Sequence, residues 1–187
     1  DGRPLNDVRD RVLVVANEDG YGTPHLYALP SWKPMALPPI DRGVLGVWDI
    51  RGDQVVWTNS NARNAGSAWL TTFPAKGAPV TKQLTWTDDA GVDLSSFQLP
   101  QLVRYPAFDG KSVPAFVYLP AGYQKGQAIP FVIVYHGGPE SQHRPSFSAT
   151  MQYLVARGYG VMMPNVRGST GYGRAFQMMD DYRNRWD

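Results

Sequence analysis

Residues 129–135, Ile-Pro-Phe-Val-Ile-Val-Tyr, form the longest apolar stretch of the chain. Such a β-branched run, without polar alternation, reads as a strand buried on both faces of a parallel sheet. It is far shorter than the roughly 20 residues a membrane helix needs. A parallel strand needs a crossover to its neighbour, and the next segment supplies one. Ser146, after Pro145, is a candidate N-cap. Phe147, Met151, Leu154 and Val155 then recur on one helical face, and Gly158 stands where a left-handed C-terminal cap belongs. Tyr159–Pro164 reads as a second buried strand. Strand, helix and strand make a βαβ unit, whose crossover is expected to be right-handed. Ahead of it, Leu102–Phe108 and Val113–Leu119 flank Asp109-Gly110, a strong hairpin signal. From Arg174 the pattern is helical again.

The first half has a different character. Trp32, Trp48, Trp57, Trp69 and Trp86 all lie there, against Trp186 alone in the second half. Val12–Glu18 aligns with Val55–Asn61, and His25–Pro30 aligns with Trp69–Pro74. Each unit reads as strand, polar turn, strand, and further short strands fit Gly43–Ile50 and Val80–Trp86. A repeat of about 40–45 residues with about four strands per unit is the pattern of β-propeller blades. An ordinary meander, whose hairpins resemble one another by composition, is the plainer alternative. The 19 Gly and 16 Pro fit many short strands and turns in either case.

Composition excludes several classes. Hydrophobic residues make up 43% of the chain and charged residues 18%, a globular balance. A net charge of +2, without a Lys/Arg run, argues against a nucleic-acid surface. The chain has no Cys, so disulfides and thiolate zinc sites are excluded, while the compartment stays open.

Two segments carry chemistry. Tyr135-His136-Gly137-Gly138-Pro139 directly follows the first buried strand. Glycines there allow backbone N–H groups to approach a developing oxyanion closely, as in the loop after the third strand of α/β-hydrolases. A plain Gly-Gly-Pro turn is the other reading. Asn165-Val166-Arg167-Gly168-Ser169-Thr170-Gly171-Tyr172-Gly173 follows the second strand. Its spacing is neither a Walker loop nor a dinucleotide fingerprint. A tight loop packed beside the preceding one, with Arg167 held by a carboxylate or carbonyls, is the favoured reading. Ser169 has no nucleophile elbow around it.

Together, His-Gly-Gly-Pro after one strand and Asn-x-Arg-Gly-Ser-Thr-Gly-Tyr-Gly-Arg after the next resemble the prolyl oligopeptidase family of serine peptidases. The likeness is to its acylaminoacyl-peptidase and dipeptidyl-peptidase branches, and it covers Tyr105–Phe176. The lead-in Arg104-Tyr105-x-x-x-Asp109-Gly110 and the segment Phe116–Pro120 belong to it too. The resemblance implies the last blades of a β-propeller over residues 1–95. It implies the first part of an α/β-hydrolase domain, truncated before the nucleophile, over 96–187. It further implies an oxyanion element at His136, Gly137 and Gly138, with the Gly138 N–H as first donor. His136 would contribute through a ring N–H. Arg167 and Tyr172 would support the loop. No metal or organic cofactor is implied; the implied partner is an oligopeptide substrate.

A hydrolase of this kind orders its triad Ser, Asp, His along the chain, after the oxyanion loop. No Gly-x-Ser-x-Gly elbow occurs; Gly110-Lys111-Ser112-Val113-Pro114 fails at the last position. His25 and His143 lack partner motifs and read as ordinary surface or hydrogen-bonded histidines. Two blades cannot close a propeller, and the sheet would keep an unpaired edge. The expectation is therefore an internal piece of a longer serine peptidase, inactive alone and completed by the rest of its chain or a complementing subunit. A split or cleaved subunit, or a sequence giving only part of its chain, would read the same way. An esterase on the same scaffold, or a non-catalytic propeller module, are the rival functions.

Overall fold

The computed structural model describes residues 5–138 and 140–181. Its first half is two antiparallel meanders. The first contains β1 (Arg11–Glu18), β2 (Tyr21–Ala28) and β3 (Lys33–Met35); the second contains β4 (Val44–Arg51), β5 (Gln54–Asn61), β6 (Asn64–Thr72) and β7 (Val80–Gln83). The segments matched by the internal repeat are equivalent hairpins. β1 pairs with β2 from Arg11↔Ala28 to Glu18↔Tyr21, and β5 pairs with β6 from Gln54↔Thr72 to Asn61↔Asn64.

Period-two alternation explains how the meanders pack. Val55, Trp57 and Asn59 are buried on one face of β5. Leu13 and Leu26 of the first sheet meet Leu45, Ile50, Val55, Trp57 and Phe73 of the second in one core. Trp57 stacks on Trp69 with ring centroids 5.7 Å apart and donates its indole N–H to Thr71 Oγ1 at 2.9 Å. The polar edge of a buried indole is thereby satisfied, as burial requires.

The second half is a four-stranded sheet in the order β10-β11-β9-β8. β8 (Gln101–Pro106) and β9 (Ser112–Tyr118) form the Asp109-Gly110 hairpin, with Gly110 at φ +77°. β10 (Phe131–Ile133) and β11 (Gly160–Pro164) are parallel and joined through α1 (Ala149–Ala156). α1 ends as expected: Gly158 is left-handed at φ +89°, Gly158 N donates to Val155 O at 3.0 Å and Tyr159 N donates to Leu154 O at 3.1 Å. That pair of bonds is a Schellman cap. A short α2 (Arg174–Gln177) follows the glycine-rich loop.

Two expectations need correction. The N-cap of α1 is Ser148, not Ser146: Ser148 Oγ accepts from Met151 N. Phe147 is held outside the helix, stacked on Phe97 at 6.0 Å with its N–H donated to Ser60 Oγ at 3.0 Å. Ser148→Ala should therefore lower stability by about 1 kcal/mol, while Ser146→Ala should leave the denaturation midpoint of the intact protein unmoved. Nor is β10 buried on both faces. Phe131 is 49% exposed and Ile133 52%, because β10 is the edge of the sheet and pairs only with β11. β9 is the strand buried along most of its length, with Val113–Phe116 all buried between β8 and β11.

The two halves meet at the β1–β2 turn. Tyr21 packs edge-on against Phe116 at 5.8 Å, in a core shared with Ala62, Tyr118, Val155 and Val161. Arg104 pairs with Asp19, and Arg144 Nε donates to Gly20 O at 2.8 Å. These contacts fix the first half against β8, β9 and the loop that follows β10.

Candidate functional site

β10 delivers its chain directly into His136-Gly137-Gly138. Gly138 adopts φ +150°, and a Cβ there would lie 2.9 Å from Glu140 N and 3.2 Å from Ser141 N. Only glycine fits that backbone without strain. Among the described residues, neither the Gly137 nor the Gly138 N–H is taken by an acceptor. Both glycines are exposed, so these donors remain available to something outside the chain fold.

The loop around them is braced at several points. His143 is half-buried; its Nε2 donates to Val134 O at 2.8 Å, which ties the far side of the loop to its start. Burial lowers the His143 pKa and favours the neutral ring, against the bond to Val134 O, which pulls the other way. Asn165, fully buried just past β11, clamps the His143 backbone from both sides. Its Oδ1 accepts from His143 N at 2.6 Å and its Nδ2 donates to His143 O at 3.0 Å. The same Nδ2 donates to Tyr172 Oη at 2.8 Å. Burial is also the main cause that raises the Tyr172 pKa, keeping the phenol neutral.

His136 is engaged within the loop. Its Nε2 lies 2.8 Å from Ser169 Oγ and its Nδ1 lies 3.0 Å from Gly137 O. Its ring meets that of His143 edge-on at 5.2 Å. Ser169, fully buried, also reaches Val166 O at 2.6 Å. Its hydroxyl therefore bridges the two glycine-containing loops. Thr170 N donates to Ser141 O at 2.8 Å, a second bridge between them.

Arg167 pairs with Asp109 Oδ2 at 3.3 Å and lies over the Phe108 ring at 4.7 Å. The second loop is thus pinned to the β8–β9 turn. Gly168 is left-handed at φ +90°, and a Cβ there would collide with the Asp180 carboxylate. The structure thus brings His136, Gly137, Gly138, Arg167 and Tyr172 into one cluster of loops at the end of β10 and β11. His25 lies apart on β2, 3.7 Å from Glu18 and stacked on Tyr27. Asn165, Ser169 and His143 organise the loops, a role that the sequence patterns do not assign to them. An Asn placed directly after a buried strand and before a Gly-rich loop is the signal that points to them, since amides there bond to nearby backbone.

The model of the prolyl oligopeptidase family matches residues 145–186. A dipeptidyl-peptidase 5 of Aspergillus oryzae is 27% identical over 196 residues, covering 98% of this chain and 26% of that protein. An uncharacterized peptidase of Bacillus subtilis is 34% identical over 95 residues, covering 51% of this chain and 14% of its own. Among solved structures, a puromycin hydrolase is 26% identical with a TM-score of 0.74, over 94% of this chain and 26% of its own. A puromycin-hydrolyzing peptidase of Mycobacterium tuberculosis, at 23% identity, superimposes with a TM-score of 0.79 over 94% of this chain and 27% of its own. The chain spans about a quarter of the length of most of these relatives.

Proposed function

We propose, for a chain similar in sequence and fold to proteins of the prolyl oligopeptidase family, that it supplies the oxyanion loop of a serine peptidase acting on short peptides. Residues 1–95 form propeller blades in this reading, and 96–187 form the first part of an α/β-hydrolase domain. The observation that carries the reading is the pair of untaken N–H groups at Gly137 and Gly138, at the carboxyl end of a parallel strand. The Gly138 N–H would donate to the carbonyl oxygen of the scissile bond as it becomes an oxyanion. A serine from another part of the intact protein would attack that carbonyl. The amine leaves with a proton from the general base, and water then hydrolyses the acyl-enzyme. Such acyl transfer needs no metal or organic cofactor. Propeller-gated peptidases admit small substrates, so oligopeptides rather than folded proteins are the expected class.

His136 and Ser169 act here as positioning residues. Ser169→Ala removes the hydroxyl bridge between the two loops. It should lower kcat about tenfold with KM little changed, as expected for an interaction that orients a transition-state donor. A rise in KM with kcat unchanged would mean that the bridge shapes substrate binding instead. The reading itself is tested by a fluorophosphonate on the full-length protein. One phosphonyl adduct per chain, with loss of peptidase activity, is expected. Full activity without an adduct would remove the serine mechanism.

A further inference from the structure

A second cavity lies away from the oxyanion loop. It is a cleft of about 520 Å³ between the β5–β6 turn, the connector into β4 and the segment that leads into the second half. Arg42 and Arg63 line it together with Trp69, Trp86, Leu94 and Leu99. The Arg42 guanidinium lies over the Tyr21 ring at 3.7 Å, and Arg63 Nε donates to Phe97 O at 2.8 Å. Among the described residues neither arginine forms a salt bridge. The acidic groups facing them are Asp41, which lines the cleft, and Asp93, whose carboxylate is already committed to the N–H of Ser95. The lining itself carries two guanidiniums and one carboxylate, and Asp93, outside it, offsets part of the Arg63 charge.

A second observation points to an absent ligand. The indole N–H of Trp69 is buried and has no acceptor. Its neighbour Trp57, on the same face of the sheet, has one in Thr71. A buried donor without a partner is rare and costs free energy unless something satisfies it. Concave sites that mix apolar walls with a few convergent polar groups are the usual form of small-ligand sites.

We propose that this cleft binds a small organic carboxylate with an apolar body, such as an N-acylated aromatic amino acid. The guanidiniums would take the carboxylate, for which their planar donor fork is suited. Trp86, 73% exposed, and the leucines would cover the apolar body. With a small shift of the Trp69 indole, an acceptor on the ligand would satisfy its buried N–H. This inference stands on the cleft alone and does not depend on the peptidase reading.

The test is binding to the intact protein, read by tryptophan fluorescence and calorimetry without reference to activity. N-acetylphenylalanine is the probe, and its amide is the neutral control. The acid should bind saturably and at least tenfold more tightly than the amide. Arg63→Gln should weaken it at least fivefold. Ala65→Phe fills the cleft without removing a charge, and it should abolish binding even if Arg63→Gln disturbs the fold. Equal affinity for acid and amide, no saturation by about 10 mM, or binding undiminished in Ala65→Phe would each overturn the proposal.

Discussion

Replacing Gly138 by alanine should lower kcat of the full-length protein on a peptide amide by about 10²–10³-fold, the usual effect of removing one oxyanion donor. Two facts drive the size of the effect. The residue sits at φ +150°, and its Cβ would meet Glu140 N at 2.9 Å, so the peptide carrying the Gly138 N–H must rotate. The donor then points away from the substrate oxygen. Gly138 is exposed but must leave its φ of +150°, so stability should fall by no more than about 1–3 kcal/mol, the cost of one strained residue, leaving the protein folded. Gly137→Ala should cost much less, since a Cβ at that position would have nothing within 4 Å. A Gly138→Ala enzyme within twofold of the parent kcat would mean the donor lies elsewhere.

The largest loss of stability should come from Phe116→Ala. Phe116 is 1% exposed, on the central strand β9, and it touches the first half through Tyr21. Truncating a buried Phe to Ala typically costs about 3–5 kcal/mol, part transfer and part cavity. The cavity cannot be refilled cheaply here, because Gly20 and the Tyr21 ring approach Phe116 from the other half. Denaturant unfolding of the intact protein should show that loss, with the two halves separating more readily under limited proteolysis. A change under about 1 kcal/mol would mean that the two halves do not share this core.

Much of this arrangement is legible in the sequence for identifiable reasons. The hairpin follows from Asp109-Gly110, because Gly110 is the residue at positive φ. The helix end follows from Gly158, whose cap bonds are local. The equivalence of the β1–β2 and β5–β6 hairpins follows from the internal repeat. A carboxylate partner for Arg167 is legible too, and Asp109 is that partner. What the sequence hides depends on distant partners. The start of α1 lies at Ser148 rather than Ser146 because Phe97 and Ser60, far along the chain, hold Phe147. The exposure of Phe131 and Ile133 reflects strand order, which periodicity does not encode. The brace around the candidate loop rests on Asn165 and Ser169, polar residues whose burial is visible only once β11 is set beside β9 and β10.

On the proposed function, the intact protein breaks a peptide bond. The measurement that addresses it is the rate of hydrolysis of matched short-peptide amide and ester substrates by the full-length protein. Cleavage of both is expected, with an early burst on the ester as the acyl-enzyme accumulates and steady turnover of the amide. Ester hydrolysis without any amide cleavage would contradict it and make the protein an esterase on the same scaffold.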